Sequence, residues 1–138
     1  MNAEVTGADG SRTLLVDGNN VIGAGAGGWW RDPPRAVRAL LDRLRCYAKA
    51  TGQPVELVLD VRQPDLPEGD HGGVVVHYAT RRGRDAADDR ILEILDAVDA
   101  RAVEVVTSDR MLAESARRRG ALVTGAGRFL ARLAETGC

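Results

Sequence analysis

Apolar positions fall into short runs separated by longer amphipathic segments. Thr13-Leu14-Leu15-Val16-Asp17-Gly18 is one such run, closed by a polar turn. Residues 55–60, 74–79, 102–107 and 121–124 form four more, that at 102–107 broken by Glu104. Short apolar runs bounded by turn residues predict buried strands. Between them the period changes to that of a helix. Behind Pro33-Pro34, Val37, Leu40, Leu41 and Leu44 recur at i, i+3, i+4 and i+7, and Gly52 stops the segment. Further helices are predicted over residues 85–98, over 110–119 before Gly120, and within 125–136, where Phe129, Leu130 and Leu133 form the stripe. Residues 19–32 read as a long Gly-rich loop and 62–73 as a second loop. Strands alternating with helices predict a mainly parallel sheet covered on both faces, a three-layer α/β/α domain. Near-continuous apolar strands fit that burial. There is no internal repeat. Residues 12–138 read as one domain behind a polar tail, 1–11, expected to be disordered.

Composition narrows the class. With 138 residues, 44% hydrophobic and 28% charged, the chain has enough apolar side chains for a core. No apolar run nears the roughly 18 residues of a membrane span. The tail lacks the basic start and apolar stretch of a secretory signal. Net charge is −1, so no bulk field argues for a nucleic acid. All 19 basic residues except Lys49 are arginine. Arginine forks suit phosphate, but GC-rich coding gives the same bias, so the ratio carries little. Cys46 sits mid-helix and Cys138 at the last position, which suggests neither a disulfide framework nor a metal knuckle. A reducing, cytoplasmic setting is the expectation.

Charge placement is more informative. Asp17, Asp60 and Asp109 each finish a strand. In an open parallel sheet, ligands bind outside the carboxyl ends of the strands, where strand order reverses. Each aspartate alone could simply start a turn, but three on one edge point to a site. In the second helix, Asp88 lies on the apolar stripe, with Ile91, Leu92 and Leu95 at i+3, i+4 and i+7. A carboxylate on a buried face needs a partner. Asp89 falls outside the stripe and Asp85 reads as the N-cap. Clustered carboxylates repel, and a hard divalent cation relieves the repulsion. Rival machinery is missing. His71 and His77 read as structural, and there is no G-x-S-x-G or H-E-x-x-H motif. Gly23 to Gly28 matches G-x-G-x-x-G, but the preceding Asp17-Gly18-Asn19-Asn20 breaks the context a dinucleotide site needs. A receiver would need a late-strand lysine, and a D-x-D phosphatase is excluded by Asn19. Metal-assisted hydrolysis of a phosphodiester remains.

Four fragments occur in order: Asp17-Gly18-Asn19-Asn20-Val21-Ile22, Leu57-Val58-Leu59-Asp60, Ala86-Ala87-Asp88-Asp89-Arg90-Ile91 and Val105-Val106-Thr107-Ser108-Asp109-Arg110. Their set resembles the NYN domain in its YacP-like branch, among the PIN-like ribonucleases. Gly28-Trp29-Trp30-Arg31-Asp32 and the Gly-Ala-Gly at 125–127 resemble actinobacterial members. The resemblance spans roughly residues 13–133. It implies five strands in the order 3-2-1-4-5 and divalent-metal-dependent cleavage of RNA, leaving a 5′-phosphate and a 3′-hydroxyl. Asp17, Asp88 and Asp109 are implied to hold one or two Mg²⁺ or Mn²⁺ ions, with Asp60 as ligand or outer acid and Asn20 orienting a ligand or the phosphate. Asp89, Thr107 and Ser108 are secondary candidates. Asn19 departs from the branch, which often has an aromatic residue there, and is expected to alter a substrate contact.

RNA contacts are expected from Arg81, Arg82 and Arg84, which precede the Asp88 helix, and from Trp29 and Trp30, which can stack bases or pack their loop. Arg117, Arg118 and Arg119 read as a solvated face. The implied partner is RNA, presented free, by a ribosome or by another protein. No membrane partner is expected, and a homodimer stays open. The alternative is an NYN-type module that binds RNA or protein without cutting.

Overall fold

The computed structural model describes residues 12–25, 27–83 and 85–138. The tail and the expected RNA contact of Arg84 lie outside those residues. Element order is β1 (Thr13–Asp17), α1 (Gly18–Ala24), a 3₁₀ turn at Trp29–Arg31, α2 (Pro33–Thr51), β2 (Val55–Leu59), β3 (Gly69–Asp70) and β4 (Val74–Tyr78). There follow α3 (Ala86–Asp96), a 3₁₀ turn at Ala100–Ala102, β5 (Val103–Val106), α4 (Arg110–Arg118), β6 (Leu122–Thr124) and α5 (Ala126–Glu135). No helix among the described residues is long and apolar enough to cross a membrane.

The sheet runs β3-β4-β2-β1-β5-β6. Every pairing is parallel except that of β3, a two-residue antiparallel addition at the edge. Without β3, the five remaining strands stand in the order the resemblance implies. Side-chain alternation sends Leu14, Val16, Leu57, Val76 and Val106 into one core, beneath α1, α2 and α5. Leu15, Val58, Val103 and Val105 enter a second, beneath α3 and α4. Both faces are covered, which is why the strands carry so few polar residues. Each fully buried Leu, Val or Phe contributes roughly 1.5–3 kcal/mol.

Glu104 interrupts β5 without exposing it. The residue is 5% exposed, and its carboxylate accepts from Arg132 at 2.8 Å and Thr124 at 2.6 Å. The Arg132 guanidinium lies over the rings of Tyr47 and Phe129. One ion pair thus joins β5, β6 and α5. His77 meets Glu56 at 2.6 Å and His71 meets the Pro67 carbonyl at 2.6 Å.

Two expectations are corrected. The stretch 19–32 is not loop throughout, because its start is α1. Gly and Asn have low helix propensity, but Val21 is 1% exposed and packs with Ile22 on the first core, which overrides propensity. The cysteines are also not independent. Cys46 of α2 and Cys138 form a disulfide, with Cα atoms 5.7 Å apart and a sequence separation of 92. The chain after α5 folds back over α2, and Arg43 Nε donates to the Cys138 carbonyl at 3.0 Å. That proximity is tertiary, so spacing alone did not reveal it.

Candidate metal centre

Parallel strands bring their carboxyl ends to a common edge. β1 ends at Asp17, Asp60 follows β2, and Thr107-Ser108-Asp109 follows β5. The chain leaves β1 for β2 on one side and β5 lies on the other. Order therefore reverses between β1 and β5, with Asp17 and Asp109 on either side of the crevice.

Local hydrogen bonds fix these groups. The Thr107 hydroxyl donates to Asp17 Oδ2 at 2.8 Å and accepts from the Asp109 amide at 3.1 Å. Asp109 Oδ1 accepts from the Leu112 amide and caps α4. Asn20 Oδ1 accepts from the Ser108 amide at 2.8 Å, tying α1 to the loop after β5. Ser108 Oγ accepts from the Ala126 amide at 2.8 Å and so caps α5. Asn19 was expected to alter a substrate contact. Its Oδ1 accepts from the Asp60 amide at 2.9 Å, which ties α1 to the end of β2.

Oxygens of Asp85, Asp88 and Asp109 lie within 4.8 Å of one another. Asp17, only 4% exposed, and Asp60 stand close enough to act electrostatically on this group. Burial raises the Asp88 carboxyl to about 7, helped by Asp17, Asp109, Asp85 and Asp60. Burial likewise raises Asp17 to about 6; the Thr107 hydroxyl opposes it, Asp60 and Asp109 add to it, and the Asn20 amide opposes it. Asp60 is also raised, by burial and by Asp85, against the pull of the Ala87 amide. Among the described residues no ion pair involves Asp17, Asp60, Asp85, Asp88 or Asp109. Uncompensated carboxylates at this density are a donor set of hard oxygens, which fits Mg²⁺ or Mn²⁺.

Asp85 stands at the helix start where the sequence put it, but its place in the acid cluster was missed. It occupies the N-cap position of α3, yet its side chain makes no capping bond. It is the one non-glycine among the described residues with positive φ, at 63°. Such a backbone costs about 1–2 kcal/mol, and it places the carboxylate in the cluster. The available signal was its spacing of three from Asp88. Asp89 is exposed and bonded to Arg81 at 2.8 Å, which removes both from easy reach of the cluster. Arg82 is exposed and lines, with Asp60 and Arg62, a cavity of about 650 Å³. Trp29 and Trp30 meet edge to face at 6.2 Å and are 36% and 61% exposed.

The model of the YacP-like NYN domain matches residues 14–137. Crystal structures of Rae1 (YacP) from Bacillus subtilis have the same architecture. One is 27% identical with a TM-score of 0.73, covering 91% of this chain and 75% of that one. A single-substitution variant is 26% identical with a TM-score of 0.76, covering 91% of this chain and 77% of the other. No curated protein is a significant match by sequence. With its ordered motifs on one sheet edge and that match over nearly its whole length, the chain belongs to the YacP-like NYN family of PIN-like nuclease domains.

Proposed function

We propose that the protein is a divalent-metal-dependent ribonuclease that hydrolyses RNA phosphodiester bonds at the carboxyl edge of its sheet. The supporting observation is the cluster of Asp85, Asp88 and Asp109, with Asp17 buried beside it and, among the described residues, no cation paired to any of them. A binding module that no longer cuts has no need to retain such mutually repelling groups.

Asp85, Asp88 and Asp109 would hold the ion, with Asp17 and Asp60 completing the negative surround. Bound there, Mg²⁺ or Mn²⁺ supplies Lewis acidity toward the phosphate and the attacking water. Thr107 holds Asp17 and Asp109 in fixed relation through one hydroxyl. Asn20 secures the Ser108 backbone through Oδ1, and its Nδ2 has no partner among the described residues, leaving donors for a phosphate oxygen. Family membership supports RNA as the substrate.

The test is cleavage of single-stranded RNA by the purified protein with Mg²⁺ or Mn²⁺, against the same reaction with EDTA. Asp17→Asn and Asp109→Asn each keep the side-chain shape and should abolish cleavage with the far-UV circular dichroism unchanged. Undiminished cleavage in both variants would overturn the reading.

A further inference from the structure

A nuclease centre made of five aspartates repels its own polyanionic substrate. Affinity must therefore come from positive surface beside the acids. The arginines that precede α3 supply less of it than their number suggests, because Arg81 is committed to Asp89. The opposite side of the cluster is different.

Arg110 follows Asp109 directly and opens α4. Arg117 lies seven residues on, on the same helix face. With Thr107, Ser108, Met111 and Val123 they line a cavity of about 570 Å³ between α4 and the β6–α5 turn. Thr107 and Ser108 belong to the loop that carries Asp109, so this groove is lined by the same loop that delivers an acid to the cluster. Neither arginine side chain takes part in an ion pair or hydrogen bond among the described residues. Their neighbours do: Arg118 is held by Glu114 at 2.9 Å and Arg119 by Asp96 at 2.8 Å. Glu114 is the one acid lining the groove, and its charge is met by Arg118. Met111 is 81% exposed, an apolar side chain with no place in either core.

We propose that the groove bearing Arg110, Met111 and Arg117 seats single-stranded RNA on the β6 side of the acid cluster. The proposal rests on the ribonuclease reading and extends it to the path of the substrate. Two unpaired guanidinium forks suit phosphate oxygens. They stand about 10 Å apart along the helix axis, the reach of about three stacked nucleotides at about 3.4 Å each. Met111, beside Arg110 in the lining of the groove, offers an apolar surface to a base face, and only an unpaired strand exposes such faces.

The experiment measures equilibrium binding of a short fluorescent single-stranded RNA in EDTA, where no turnover interferes, at rising salt. Arg110→Ala/Arg117→Ala should weaken binding about tenfold or more. It should also reduce the slope of log affinity against log salt by about 1.4, the release expected for two single-strand phosphates. Arg110→Lys/Arg117→Lys should restore most of that slope. Arg12→Ala/Arg101→Ala makes the same charge change at the opposite edge of the sheet and should bind within about twofold of the parent. If the groove variant binds RNA like the parent, the groove belongs to some other partner, such as a protein, and the proposal falls while the ribonuclease reading stands. If the parent protein itself neither binds nor cuts RNA, both fall.

Discussion

At Asp17 and Asp88, burial and crowding favour the protonated acid. The carboxyls rise to about 6 and about 7, against an ordinary value near 4. Between those limits the folded chain holds protons that the unfolded chain has released. Stability from these groups is therefore complete below about pH 4 and is lost as pH rises through about 6 to 7. Asp60, also raised, acts with the same sign. Glu68 and Asp99 are lowered, by the Tyr78 amide and by Arg101 respectively; both lie at the surface and act in the opposite sense, only at more acid pH. Without divalent cation, the thermal midpoint should thus fall between about pH 5 and about pH 7.5, and Asp88→Asn should flatten the upper part of that decline. Added Mg²⁺ binds ionised carboxylates and should restore stability most strongly above pH 7. Scanning calorimetry across pH, with and without Mg²⁺, reads both effects. At this scale Asp17, Asp88 and Asp109 were legible, because strand ends and a helical stripe are patterns in sequence. Asp85 was not, because its position at the helix start reads as an ordinary cap and its left-handed backbone is invisible in sequence.

Among the elements, α1 depends most on a single position. A Cβ on Gly18 would sit 2.9 Å from the Val58 carbonyl oxygen and equally tight against the Leu57 and Leu59 side chains. Only glycine lets the start of α1 press so closely on β2, and α1 carries Asn19 and Asn20 to their partners across the edge. Gly18→Ala should cost about 1–3 kcal/mol in urea unfolding, with RNA cleavage falling further than stability alone explains. The longer elements were readable from hydrophobic period: α2 from its stripe, its prolines and Gly52, the strands from their continuous apolar runs. α1 was not, since seven residues rich in Gly and Asn have no helical pattern and are held by the burial of Val21. β3 was equally hidden, because two residues paired at an edge are fixed by β4 and not by their own side chains.

Across the whole molecule, the Cys46–Cys138 bridge closes a loop of 92 positions and ties the end of the chain to α2. A native disulfide contributes about 2–4 kcal/mol, more for long loops in the chain-entropy account. Reduction, or Cys46→Ser, should lower the thermal midpoint by about 10 °C, while leaving the acids at the far edge in place. Differential scanning fluorimetry with and without dithiothreitol measures this, and reductant should not alter the Cys46→Ser midpoint. The pairing could not be read from two cysteines in isolation; it needed the packing of α5 on α2.

The acid cluster draws on both sides of the sheet. Asp17 and Asn20 belong with the layer of α1, α2 and α5, whereas Asp88 and Asp109 come from α3 and α4. Ser108 stitches the two, its amide on Asn20 and its hydroxyl on the first turn of α5. The three clustered acids lie on the α3 and α4 side, while Asp17, Asn20 and the Thr107 hydroxyl bond that fix them reach across from the other side. A chain caught halfway through folding would therefore gather the three acids before the contacts that hold them in register, and the finished geometry waits for the opposite layer to close.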